Sequence, residues 1–258
     1  MATIPTDHPL HHDRYLRSNG YDPDWVVTNQ MGPNALWLLE SLLELLEIEP
    51  GAKVLDLGCG KAMTSIFLAR ELGARVWATD LWIPAAENQE RIVAAGVDDL
   101  VTPIHAEAHA LPYAADFFDV VVSIDAYQYF GTDDLYLGYL ADFLVPGARL
   151  GIVVPSMLQE PDEVPEHLVP FWEWDFCSFH SPDWWARHWT KTGKVTVDHA
   201  DAIDDCWQDW LRFNDLTAPT VTGWLAEAAE SVHHMLEADR GEHVGFARVT
   251  ATKPHEHL

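Results

Sequence analysis

Gly58 and Gly60 stand two residues apart, directly after the run Val54-Leu55-Asp56-Leu57 and just before a helical pattern that opens at Met63. Asp80 follows twenty residues after Gly60, at the end of a second apolar run, Arg75 to Thr79. Glycines at such a turn let the backbone take conformations closed to other residues and let a ligand approach the main chain. A carboxylate at the end of the neighbouring strand can accept both hydroxyls of a ribose. The dinucleotide fingerprint would want a third glycine where this chain has Met63, and Asp56 would repel a pyrophosphate. The chemistry indicated is therefore the binding of an uncharged or cationic nucleoside.

These residues need a parallel sheet to hold them at its strand ends. Val54 to Leu57 predicts a first strand, Met63 to Leu72 a helix, Arg75 to Thr79 a second strand and Ala85 to Ala95 a helix. Val101 to His105, Phe118 to Ile124 and Arg149 to Val154 predict strands three to five, with a helix over Leu135 to Phe143 and a turn at Val145-Pro146-Gly147. Upstream, Gly32-Pro33-Asn34 opens a helix, Ala35 to Leu46. Residues 155–180 carry prolines, acids and aromatics without a clean period, as an insertion over a site would. Ser181 caps a helix through Lys191, Val195 to Asp198 is a strand, Cys206 to Glu237 is largely helical with a break near Pro219, and His243 to Thr250 closes the chain as a strand.

Composition excludes several classes. The net charge of −26 with only 15 lysines and arginines argues against nucleic acid as a partner. It fits either a generally acidic surface or a field that draws in cationic substrates. No apolar run is long enough to span a bilayer, and the first 14 residues lack a signal-peptide core. Three scattered cysteines fit reduced thiols in a cytoplasm. Fourteen histidines raise the question of a metal, but His11-His12, His233-His234, His105/His109 and His180/His188 have no ligand-like spacing, so no metal is expected.

Asp56-Leu57-Gly58-Cys59-Gly60 resembles the first motif of the class I S-adenosylmethionine-dependent methyltransferases, and the order of elements over residues 30–155 and the last strands is similar to theirs. With Leu111-Pro112-Tyr113 before strand four, the whole-chain pattern resembles the bacterial small-molecule enzymes of the ubiquinone-biosynthesis type. The resemblance implies an α/β, Rossmann-like, doubly wound sheet of seven strands, the last inserted antiparallel. It also implies a helical N-terminal arm (1–50), a cofactor-binding core (51–154), a Trp-rich lid insertion (155–194) and a C-terminal part of the same sheet (195–258).

The family's roles fall on this chain as follows. Asp56, Gly58 and Gly60 would line the methionine end of S-adenosylmethionine, with Asp56 reaching its ammonium directly or through water. Asp80 would hold the ribose, with Leu81 and Trp82 against the adenine. Glu107 and the Ala108 N–H would meet the adenine edge, and Ser123 would touch the cofactor at the end of strand four. On the acceptor side the candidates are Asp125 and Tyr127, in a loop where many relatives have histidine, and His180 at the end of the aromatic stretch Phe171 to Phe179. That stretch is either a lid or an aromatic cage with Glu173 and Asp175, and Tyr15, Tyr21, Trp25 and Asn34 of the arm are placed to fold over the cofactor. The expected function is methyl transfer to a small molecule, with an amine or aromatic acceptor favoured, in the cytoplasm, without membrane or nucleic acid, and compatible with a homodimer. The alternatives are a non-catalytic module of the same fold, other sulfonium chemistry such as cyclopropanation, and a protein methyltransferase.

Overall fold

The computed structural model describes residues 4–255. Its regular elements run α1 (Pro23–Asn29), α2 (Ala35–Leu43), β1 (Lys53–Leu57), α3 (Met63–Leu72), β2 (Arg75–Asp80), α4 (Ala85–Ala95), β3 (Val101–His105) and β4 (Phe118–Ile124). They continue with α5 (Tyr136–Ala141), β5 (Leu144–Met157), α6 (Pro182–Lys191), β6 (Thr196–Ala202), α7 (Cys206–Thr217), α8 (Trp224–Asp239) and β7 (Val244–Thr252). The strands form one sheet in the order β3-β2-β1-β4-β5-β7-β6. All neighbours are parallel except β7, which lies antiparallel between β5 and β6.

Alternation along the strands makes three layers. Val54, Val76, Val120, Val122 and Val153 face one side with α2, α3 and the N-terminal arm. Leu55, Leu57, Val121, Leu150 and Ile152 face the other with α5 and α6. The core strands are thus apolar on both faces, as parallel strands between helices must be. Asn34 caps α2 by accepting from the Leu36 and Trp37 N–H groups, and Ser181 caps α6 by accepting from Trp184 N–H.

Three expectations shift. β5 extends through the predicted turn at Val145-Pro146-Gly147, because its first residues still pair with β4 across a register break between Phe118 and Val120. It also runs on to Met157, since β7 pairs with it from Arg149 to Met157. β6 is longer than Val195 to Asp198, because an edge strand needs apolar residues on one face only, and its polar side chains gave no signal.

The order reverses at β1, which has β2 on one side and β4 on the other. Open α/β sheets bind ligands at such a switch point, outside the carboxyl ends of the strands.

Candidate functional site

A cavity of about 280 Å³ opens at that place, lined from the ends of β1, β2 and β4 and from the arm. The β1–α3 turn forms its floor. The Gly58 and Cys59 N–H groups both donate to Thr79 O, at 2.8 and 3.1 Å, which straps the turn to β2. Gly58 has φ +75°, and a Cβ there would sit 2.3 Å from the Ala126 Cβ. Gly58→Ala therefore meets both a forbidden backbone region and a collision with the loop after β4. It is expected to cost about 2 kcal/mol or more, read as a lowered denaturation midpoint in urea.

Asp80 ends β2, is almost fully buried and lines the cavity. Its Oδ2 accepts from Gly60 N–H at 2.8 Å, and its Oδ1 accepts from Trp82 N–H at 2.7 Å and Ile83 N–H at 2.8 Å. Three main-chain donors thus fix the carboxylate and hold its charge at the cavity wall. Leu81 and Trp82 follow as half-exposed apolar walls, and Glu107 and Ala108 line the next stretch. Glu107 is clamped by His109, whose Nδ1 lies 2.7 Å from Oε1 and whose N–H donates to Oε2 at 2.9 Å.

On the other side, Asp125 leaves β4 with φ +54°, its N–H donating to Val153 O at 2.8 Å. Its carboxylate lies against Gly32, where a Cβ would come within 2.8 Å of Oδ2. Burial pushes its pKa up to about 7, and a hydrogen bond from the Gln128 side chain opposes the shift. Tyr129 is half-exposed, with its ring 5.9 Å from that of Trp82 across the mouth. Burial, then Asp56 and Asp80, hold the Cys59 thiol well above the usual range.

Four predicted site residues lie elsewhere. Asp56 is fully buried behind the turn and does not line the cavity. Its Oδ2 accepts from Thr64 Oγ1 and Ser65 Oγ, both at 2.6 Å, so it ties β1 to α3 while burial raises its pKa to about 6. Ser123 is buried and donates to Leu57 O at 2.7 Å, clamping β4 to β1 away from the cavity. Tyr127 is buried among Phe130, Tyr136, Trp185 and Trp189, because the short 3₁₀ turn Tyr127–Tyr129 points it inward and Tyr129 outward. His180 stacks on Trp184 at 3.6 Å, with Nδ1 3.2 Å from Glu160 Oε2, and does not reach the cavity.

The insertion also departs from the cage reading. Trp185 and Trp189 are core residues, Trp174 is 84% exposed, and no residue of 155–194 lines the cavity. The 3₁₀ turn Trp174–Ser178 abuts Tyr127–Tyr129, so the insertion borders the rim only. From the arm, Tyr15 and Tyr21 are buried in the core and Asn34 is a helix cap. Asn29, Met31, Gly32 and Pro33 line the cavity instead. The turn signal at Gly32-Pro33 was readable in the sequence, but its closeness to Asp125 was not.

A family model described as a methyltransferase domain matches residues 54–147. Methyltransferase GfsG of Streptomyces halstedii is 34% identical over 134 residues, which cover 52% of this chain and 48% of that protein. The chain thus spans about half the length of that relative. Among solved structures, phosphoethanolamine N-methyltransferase 2 of Haemonchus contortus, in complex with S-adenosyl-L-methionine, superposes with a TM-score of 0.71 at 16% identity, covering 94% of this chain and 58% of that one. The [4+2]-cyclase SpnF superposes with a TM-score of 0.68 at 16% identity, covering 88% and 84%. The matched domain begins in β1 and takes in the glycine turn, Asp80, Glu107 and Asp125, the same residues that meet at the cavity. Residues 54–147 of this chain thus match a methyltransferase domain, and the sheet around them has the fold of the class I S-adenosylmethionine-dependent methyltransferases.

Proposed function

We propose that this protein transfers the methyl group of S-adenosylmethionine to a small-molecule acceptor held between Asp125 and the Trp82–Tyr129 mouth. The observation that carries the reading is a single cavity that joins the glycine turn, Asp80 and Glu107 to Asp125. The residues fit the cofactor. The turn offers the bare backbone at Gly58 that a close ligand needs, and Asp80, Glu107 and Asp125 suit a cation better than a phosphate. Asp80 would take the ribose hydroxyls and Glu107 and Ala108 the adenine edge. The N-terminus of α3, which has no side-chain cap and contributes Met63 and Thr64 to the wall, would favour the carboxylate end. Asp56 supports this turn from behind.

When bound, the cofactor supplies an electrophilic sulfonium methyl, so the protein's part is positioning, water exclusion and proton removal. Asp125 fills the last role. It can take a proton from an ammonium or phenol near neutral pH, and the aromatic mouth gives such an acceptor a face to rest on. An amine or aromatic acceptor is the preferred class. Residues 51–154 form the binding core in this reading, with 1–50 as its cover and 155–194 bordering the rim. Three free cysteines and strong acidity fit a cytoplasmic protein that binds neither nucleic acid nor membrane, and a homodimer is compatible with them. Among the described residues no helix is long and apolar enough to cross a membrane.

The reading is tested by incubating the protein with S-adenosylmethionine and panels of amines, phenols and thiols while following S-adenosylhomocysteine release. Acceptor-dependent release with a mass gain of one methyl supports it. Cofactor binding without transfer to any member would favour the alternative of a non-catalytic cofactor-binding module of the same fold.

A further inference from the structure

Away from the cavity, three side chains from two segments converge. His167 lies between β5 and α6, Asp239 closes α8, and His243 stands just before β7. We propose that His167, Asp239 and His243 form a binding site for a divalent transition-metal ion of the zinc type, through two imidazole nitrogens and one carboxylate oxygen.

The geometry is close to that of a metal centre. Asp239 Oδ1 lies 2.9 Å from His167 Nε2 and 3.3 Å from His243 Nδ1, and one ligand atom from each of the three residues falls within 4.8 Å of the others. A tetrahedral zinc ion spaces its ligand atoms about 3.3–3.5 Å apart, so a modest inward turn of one ring would complete the set. Hydrogen bonding satisfies only one of the two rings. His167 pairs with the carboxylate, whereas His243 Nδ1 is buried without a hydrogen-bond partner despite its short distance. An ion between the three would use both.

The carboxylate is also held in place from behind. Asp239 has a fully buried side chain that accepts from His243 N–H at 3.1 Å to each oxygen and from Val244 N–H at 2.8 Å. These amides fix the direction of the carboxylate toward the two rings, as outer hydrogen bonds fix a ligating carboxylate. Both rings remain about a third exposed, at 33% and 32%, which leaves a path for the ion and room for water as further ligand. A donor set of two nitrogens and one oxygen suits zinc, cobalt or nickel. Magnesium and calcium prefer oxygen alone. With Leu168 buried beside it, such an ion would fasten the segment after β5 to the α8–β7 junction.

The test titrates the untagged full chain, stripped by a chelator, with CoCl2 while following visible d–d absorption, and with ZnCl2 by calorimetry. One cobalt per chain, displaced by zinc, is expected. His167→Gln and His243→Gln should each weaken zinc binding roughly tenfold or more while leaving the far-ultraviolet circular dichroism unchanged. His233, His234 and Glu237 form a second, exposed group on α8 and provide the control. The double variant His233→Ala, His234→Ala should bind within about threefold of the parent chain. The proposal is overturned by an absence of saturable binding. It is equally overturned if binding persists in His167→Gln and His243→Gln but is lost in the double variant, which would leave His167 and Asp239 as a structural hydrogen-bonded pair.

Discussion

Asp125→Asn is expected to lower turnover by about 10²–10⁴-fold, the range for loss of a positioned general base, while S-adenosylhomocysteine affinity stays within a few-fold of the parent. The amide keeps the shape and the Gln128 contact but cannot accept the proton. The pH profile makes the prediction specific. With Asp125 raised to about 7, kcat/KM for the acceptor should rise with pH and level off above that value, because the base form is the active one. Stability should move the other way. The folded state holds this proton more tightly than the unfolded chain, where a carboxyl titrates near 4, so its contribution is full at low pH and is lost as pH rises from about 4 to about 7. Asn at this position should remove both trends. Unchanged turnover and an unchanged acidic limb would reduce Asp125 to a structural residue pressed against Gly32.

Asp80→Ala is expected to weaken cofactor binding by roughly 100-fold, or about 3 kcal/mol, the scale for a charged acceptor that loses its hydrogen bonds to a ligand. The substitution also releases Gly60, Trp82 and Ile83 N–H, so the adjacent wall loosens as the ribose contact disappears. Asp80→Asn separates these effects. It keeps the volume and one acceptor, and should fall between the parent and alanine in affinity while remaining near the parent in thermal midpoint. Calorimetric titration of both variants with S-adenosylhomocysteine gives the first comparison and a melting curve the second.

The fold was legible wherever signals were local. Two-sided apolar runs fixed β1 and β4 nearly to the residue, since strands covered by helices on both faces carry little polar alternation to blur them. The glycine turn and Asp80 were equally plain, because a left-handed backbone and a strand-end carboxylate are chemical requirements tied to one position. Legibility failed where a side chain's direction depends on the turn around it. The left-handed Asp125 throws its own carboxylate toward the cavity, and the tight turn after it buries Tyr127 and exposes Tyr129, a choice the string Asp125-Ala126-Tyr127-Gln128-Tyr129 does not reveal. Ser123 and Asp56 fit the motif in sequence, yet their strands turn them to neighbouring elements.

Contacts between distant segments were the other blind spot. Met31 over Gly60, Gly32 against Asp125, and His167 beside His243 join residues from 29 to 93 positions apart. No spacing rule encodes them. The Trp-rich stretch misled for a related reason. None of the residues Phe171 to His180 lines the cavity, and the nearby Trp185 and Trp189, four apart on α6, fill the core.

The central claim is that this cavity holds the nucleoside of S-adenosylmethionine, and calorimetric titration of the purified parent chain with S-adenosylhomocysteine tests it most directly. One site per chain with micromolar Kd, and a marked loss of heat in Asp80→Ala, is the predicted result. An absence of binding in the parent, or equal binding in Asp80→Ala, would contradict it.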